Sequence, residues 1–211
     1  MASPDFMARV YLKLTWVKVT GSDALILTSL ATRSTSLEVH TEVLQSRDDA
    51  AQWILCDYYF VEPKAMLVDD TLPVGLEPLK CETFHRKHPT VEASACSSGH
   101  WLSKEDFVGP MQDALYYAVF FDIAPQHLLA FEHGLITEAQ AIEELEPKTA
   151  RFHLWQSCME LSRWVVLEAF REAAGREEHS SMPHYLKVRA QLEEWQRSPR
   201  THDSGYSLIM S

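Results

Sequence analysis

The most constraining feature of the sequence is a stretch, residues 81–100, in which one spacing of metal-binding residue types occurs twice. Three residues separate Cys81 from His85, and three separate Cys96 from His100. Zinc is bound in proteins by cysteine thiolates and histidine imidazoles, and structural sites arrange four such ligands in a tetrahedron. The spacing therefore predicts a Zn²⁺ site formed by Cys81, His85, Cys96 and His100.

The same stretch has other interpretations that the sequence leaves open. It can be a polar loop that holds thiols and imidazoles without a metal, and His88 is a further candidate ligand. A disulfide between Cys81 and Cys96 would require an oxidising compartment. Cys96 followed by His100 also has the residue types of an activated thiol nucleophile, although such partners usually come from separate parts of a fold.

Charge and hydrophobic length exclude several classes of protein. The formal net charge of -11 and a pI near 5.3 oppose non-specific phosphate binding, so a nucleic-acid partner is disfavoured despite the local basic pair Arg86 and Lys87. The first residues lack the pattern of a signal peptide. The longest apolar run, residues 114–124, is too short to cross a bilayer. We therefore expect a cytoplasmic protein without a membrane span.

Alternating apolar and polar residues predict a small antiparallel sheet in the first third of the chain. Residues 10–19 and 37–43 alternate with a period of two and predict the first and third strands. Residues 24–30, which follow a turn, predict the second strand. Apolar residues at helical spacing in residues 50–61 predict one helix, which begins after a capping sequence.

The period becomes helical in the second half of the chain. The pattern predicts helices over residues 111–124, 126–133, 137–147, 148–174 and 181–198, each bounded by proline, glycine or a capping sequence. The last residues are predicted to form a mobile tail. No internal repeat is visible in the sequence.

These elements predict an α+β fold with a small N-terminal antiparallel sheet and one helix, a Cys/His-rich loop, and a helical C-terminal half. Residues 1–75 are the β-rich part with one helix, and residues 76–103 are the Cys/His-rich connector. Residues 104–198 are the helical part and residues 199–211 the flexible tail, all within one compact domain.

The predicted function is that of a non-enzymatic interaction or regulatory protein of the cell interior, of viral or phage origin, which binds a protein partner. A closed four-ligand zinc site favours a structural role, because it leaves no position for a substrate. No catalytic residue is assigned under this prediction. The alternative is a metal-assisted hydrolase that uses the same Cys/His cluster, with Glu82 or Glu92 as general base.

Overall fold

Eight antiparallel strands close into a barrel in the computed structural model, which describes residues 11–36, 40–59, 72–86 and 114–210. The strands are β1 (Tyr11–Val19), β2 (His40–Ser46), β3 (Gln52–Tyr59), β4 (Leu76–Arg86), β5 (Leu115–Ile123), β6 (Thr149–Ser157), β7 (Arg163–Phe170) and β8 (Gln196–Met210). Their order around the barrel is β1, β3, β2, β8, β5, β7, β6 and β4, and β4 pairs with β1 to close it.

Helices pack on the outside of the barrel. They are α1 (Asp23–Ser36), a short 3-10 helix (Pro125–His127), α2 (Leu128–Leu145), α3 (Ala173–Ser181) and α4 (Pro183–Trp195). Helix α1 covers the N-terminal strands, and α2 and α4 cover the C-terminal ones. Among the described helices, none combines the length and the hydrophobicity that crossing a membrane requires.

The barrel consists of two sheets with the same strand order. In the N-terminal half the order is β4, β1, β3, β2, and in the C-terminal half it is β8, β5, β7, β6. When the strands are counted within each half, both sheets read 4-1-3-2, which is the arrangement of a ferredoxin-like unit. Pairing of β2 with β8 and of β4 with β6 joins the two sheets. The structure therefore contains a repeat that the sequence does not reveal.

Strand β7 is buried on both faces because one face lines the barrel and the other lies under helices. On β7, Val165 and Leu167 belong to the cluster inside the barrel, whereas Trp164 and Val166 pack in the cluster that also contains residues of α2 and α4. A strand that is buried on both faces has no polar face and so loses the alternation that identifies a strand in sequence.

This double burial explains why the predicted fold class is wrong. The C-terminal half holds a second four-stranded sheet and is not mostly helical. Residues 111–124 and 148–174, both predicted to be helical, contain β5 in the first case and β6 and β7 in the second. The predicted flexible tail from residue 199 lies within β8. Two predicted helices between residues 126 and 147 are one helix, α2, whereas the predicted helix over residues 181–198 is confirmed by α4.

The N-terminal half shows the same exchange of helix and strand. Strands β1 and β2 confirm two of the predicted strands, but residues 24–30 lie in α1, where Ile26 and Leu30 are one helical turn apart and both buried. Residues 50–61 contain β3, whose buried residues 53–58 are apolar on both faces except for Asp57. Residues 76–86, the first part of the predicted Cys/His-rich connector, form strand β4.

Gly134 allows α2 to lie close to α4. A β carbon at this position would lie 3.0 Å from Cη2 of Trp195 and 3.8 Å from Cγ2 of Val188. We expect Gly134→Val to destabilise the protein by about 1–3 kcal/mol in chemical denaturation, because the added methyl groups overpack this contact. Ala130→Val, at an exposed position of the same helix, should cost only the difference in helix propensity, about 0.5 kcal/mol. Equal losses would contradict the packing argument.

Candidate functional site

A cleft lies between the outer face of the C-terminal sheet and helices α2 and α4. The cavity volume is about 20 Å³, which is room for about one water molecule, and the cleft is open to solvent on one side. Its apolar lining residues are Phe121, Leu135, Phe152, Val166, Val188 and Leu192. Its polar lining residues are Glu138, Glu168, Tyr185, Arg189 and Arg200. A mostly apolar cleft with a few polar groups is typical of a small-molecule site.

Two of the polar residues occupy positions where the fold would otherwise place apolar side chains. Glu138 lies on the buried stripe of α2, between Leu135 and Ile142. Glu168 lies on the helix-facing side of β7, with Phe152 as its neighbour on β6. Both carboxyl groups are thus held by regular elements, which position side chains more precisely than loops do.

The environment of these carboxyl groups favours their neutral forms. Burial raises the pKa of Glu138 well above its usual value, and the negative charge of Glu168 raises it further. Burial also raises the pKa of Glu168, although the positive charge of Arg200 offsets part of the rise. A carboxyl group whose pKa is raised towards neutrality can act as a general base or acid.

A cation and a phenol lie in the same cleft. Arg200 Nη2 donates a hydrogen bond to the Tyr185 hydroxyl at 3.0 Å. Arg200 Nε is buried and has no hydrogen-bond partner in the described part of the chain. The cleft therefore combines carboxyl groups with donors that can stabilise a negative oxygen.

A second polar cluster lies beside the cleft, at the end of α2. His179 Nδ1 lies 3.0 Å from Glu146 Oε2, and His184 Nε2 lies 2.5 Å from Glu146 Oε1. Thr149 Oγ1 donates a hydrogen bond to Glu146 Oε2 at 2.7 Å. Burial raises the pKa of Glu146, but the hydrogen bonds from His179, Thr149 and His184 outweigh it and lower this pKa to about 2. Glu146 is therefore a carboxylate at neutral pH.

A third cluster lies inside the barrel and is a closed ion pair. Arg151 Nη1 and Nη2 donate to the two carboxylate oxygens of Glu42 at 2.6 and 2.8 Å. The Tyr58 hydroxyl also donates to Glu42, at 2.8 Å. Both charges are compensated within the core, which indicates a structural role.

The structure describes only part of the predicted zinc site. Cys81 is an exposed thiol on β4, and His85 lies four residues further along this strand. In an extended strand, two such residues have α carbons about 13 Å apart. Cys96 and His100 lie outside the described residues, as does Glu92. The four-ligand set therefore stays a prediction.

Glu82, the proposed general base of a hydrolase, is paired with cations. Arg163 Nε and Nη2 donate to its two oxygens at 2.8 and 2.9 Å, and Lys80 forms a further ion pair. Burial raises the pKa of Glu82, but these contacts outweigh it and lower the pKa below its usual value. A carboxylate held in this way is a weak base.

Two acidic residues in apolar surroundings are the signal for the cleft that the sequence contains. Glu168 is the one acidic residue in the apolar run of residues 164–170, and Glu138 interrupts an apolar helical stripe. Acidic residues at buried positions are rare and deserve a functional interpretation. Glu146, His179 and His184 gave no comparable signal, because Glu146 is 33 and 38 residues distant from the two histidines.

Comparisons with known proteins support the fold over almost the whole chain. No protein-family pattern matches the sequence. No curated protein matches it either. A candidate monooxygenase from Fusobacterium nucleatum is 9% identical with a TM-score of 0.62, and the match covers 97% of this chain and 94% of that chain. A candidate monooxygenase from Lactobacillus acidophilus is 11% identical with a TM-score of 0.58, covering 95% and 93%.

A third structure, of an anthrone oxidase-like protein, is 10% identical with a TM-score of 0.59, and the match covers 95% of this chain and 92% of that chain. At these identities the comparisons establish the fold: two four-stranded antiparallel sheets with helices, in a ferredoxin-type arrangement.

The prediction of a non-enzymatic regulatory protein with structural zinc is wrong. The fold is shared with structures described as monooxygenases or as oxidase-like, and none of these three is described as a zinc, viral or regulatory protein. The alternative of a hydrolase built on the Cys/His cluster has no support from these neighbours.

Proposed function

We propose that the protein is an oxygenase that binds a flat, apolar small molecule in the cleft between the C-terminal sheet and helices α2 and α4, and that the lining side chains move apart to admit it. The observation that carries the proposal is the combination of a mostly apolar cleft with two carboxyl groups of raised pKa, Glu138 and Glu168. The descriptions of the whole-chain neighbours as monooxygenases and as anthrone oxidase-like support the reaction class. Fold alone does not determine function, so the proposal depends on the cleft.

The proposed reaction is the oxidation of an acidic methylene group to a ketone by dioxygen. The Glu168 carboxylate removes a proton from the C–H bond, and the electron pair of that bond remains on the substrate as an enolate. Electrons from the enolate reduce dioxygen. One oxygen atom enters the new carbonyl group and the other leaves as water, so one methylene and one dioxygen molecule give one ketone and one water molecule.

The other polar residues of the cleft have roles in this reaction. Arg200 and Tyr185 are joined by a hydrogen bond of 3.0 Å and would bind the enolate oxygen. Donors aimed at a developing negative charge stabilise the transition state more than the ground state. Phe121 and Phe152 line the cleft and would contact the faces of a planar substrate, where aromatic pairs gain about 0.5–1.5 kcal/mol beyond their buried area.

We also assign the protein to the reducing interior of the cell. Cys81 is an exposed thiol and Cys56 is a buried one, and exposed thiols persist where glutathione and thioredoxin keep them reduced. Burial raises the pKa of Cys56 well above its usual value, so this thiol is an inert part of the core.

A tricyclic aromatic ketone with an acidic methylene, such as anthrone, provides the test. We expect the full-length protein to accelerate dioxygen uptake and quinone formation above the spontaneous rate. Arg189→Trp, at an exposed position that lines the cleft, should raise KM about tenfold or more, since roughly 1.4 kcal/mol of lost binding corresponds to a factor of ten. Lys187→Trp, an exposed position of α4 outside the cleft lining, is the matched control. Absence of any acceleration, or equal effects of the two variants, would contradict the proposal.

A further inference from the structure

Three side chains from separate parts of the chain converge at the C-terminal end of α2. Glu146 follows α2, His179 lies in α3, and His184 lies in the first turn of α4. One carboxylate oxygen and one nitrogen from each ring all lie within 4.8 Å of one another. Glu146 and His179 are buried, and His184 is partly buried.

We propose that Glu146, His179 and His184 form a binding site for one divalent transition-metal ion. The ligands would be a Glu146 carboxylate oxygen, His179 Nδ1 and His184 Nε2, since these are the atoms that face one another. Two imidazoles and one carboxylate are the protein ligands of catalytic zinc sites and of non-haem iron(II) sites. The proposal does not depend on the oxygenase reaction, because none of the three ligands lines the substrate cleft, although Glu138 and Tyr185, which do line it, pack around His179.

A second observation supports the metal site, on the far side of the His179 ring. His179 Nε2 is buried and has no hydrogen-bond partner among the residues that the structure describes. Glu138 Oε1 lies 4.0 Å from it. Histidines that bind a metal through one nitrogen usually donate the other N–H to a carboxylate. Glu138 is placed to accept that proton with a small shift.

The carboxylate ligand is oriented in a similar way. Thr149 Oγ1 donates a hydrogen bond to Glu146 Oε2 at 2.7 Å, which leaves Oε1 directed towards His184. Hydrogen bonds of this kind fix the ligand geometry and raise metal affinity. The Tyr185 ring packs edge-on against the His179 ring, with centroids 4.9 Å apart, and restricts its rotation.

The alternative is a hydrogen-bonded cluster with no metal function. In that case His179 donates its Nδ1–H to Glu146, and Nε2 stays buried as an acceptor without a partner. A buried polar atom left unsatisfied costs about 1–3 kcal/mol. With a metal on Nδ1, Nε2 carries the proton instead and can donate it to Glu138.

Titration of the chelator-treated full-length protein with Co²⁺ tests the proposal, with visible absorption as the readout. We expect one equivalent to bind, with ligand-field bands of a site of low coordination number. His184→Ala should lower the affinity by at least roughly 100-fold, since it removes a ligand, and Glu138→Gln by about 10–100-fold, the range for a group that supports a ligand. His133→Ala, an exposed histidine of α2, should bind like the wild type.

Circular dichroism of each variant verifies that it is folded before titration. If His184→Ala is unfolded, Glu138→Gln still tests the proposal, because it keeps all three ligands. The result that would overturn it is the absence of stoichiometric binding, or binding that is unchanged in both variants. Cobalt that is lost in Cys96→Ser and retained in His184→Ala would also overturn it, and would assign the ion to the Cys/His cluster instead.

Discussion

Replacing Arg151 with methionine is expected to destabilise the folded protein by about 3–5 kcal/mol, the usual cost of breaking a buried ion pair by removing one partner. The Arg151 and Glu42 side chains are only 4% and 1% exposed, and two hydrogen bonds join them inside the barrel. Without the guanidinium, the Glu42 carboxylate would keep the hydrogen bond from the Tyr58 hydroxyl but lose its compensating positive charge. Chemical denaturation at neutral pH measures the loss.

Two further variants separate the cost of an isolated charge from the loss of a contact. The double variant with Glu42→Leu and Arg151→Met should recover most of the stability, because no unpaired charge remains in the core. Arg163→Met breaks a similar pair, in which two hydrogen bonds join Arg163 and Glu82, but these side chains are 28% and 17% exposed. An ion pair that solvent reaches contributes less than a buried one, about 0.2–1 kcal/mol when fully exposed, so this loss of stability should be smaller. A double variant as unstable as Arg151→Met would refute the explanation.

The sequence predicts those strands whose two faces differ in polarity. In β1, Leu12 and Leu14 face the barrel interior and alternate with the polar residues Lys13 and Thr15, so the period of two is visible. After Arg163, strand β7 is apolar on both faces except at Glu168, and its residues also fit a helical stripe. What distinguishes the two cases is the outer face, which carries Lys13 and Thr15 on β1 but Trp164 and Val166, packed against α2 and α4, on β7.

The candidate site could be predicted only in part. Glu168 and Glu138 are recognisable as acidic residues in apolar surroundings once the elements around them are known. Nothing local to Glu146 shows that His179 and His184 will contact it, because the contact depends on how α3 and α4 return to the end of α2. The Cys-x3-His spacing was conspicuous in sequence, but β4 places Cys81 on an exposed strand.

Glu168→Gln is expected to lower the turnover number for a substrate with an acidic methylene by roughly 100- to 10,000-fold, the usual contribution of a general base. The amide has the size of the carboxylic acid but cannot accept the proton, so substrate affinity should change little. Glu144→Gln, at an exposed position of α2, should leave the rate unchanged. In the wild type, the rate should rise with pH as Glu168 ionises, with an apparent pKa above the usual value for glutamate.

The same substitution should raise stability, and this opposite change identifies Glu168 as a functional rather than a structural residue. Burial raises its pKa in the folded state, so its contribution to stability is fully present below the pKa of the unfolded chain and is lost as pH rises through the folded pKa. Glutamine removes that loss. The melting temperature of Glu168→Gln should therefore match that of the wild type near pH 4 and exceed it at neutral pH. A variant that is less stable at neutral pH and retains full turnover would show that the carboxylate supports the fold and not the reaction.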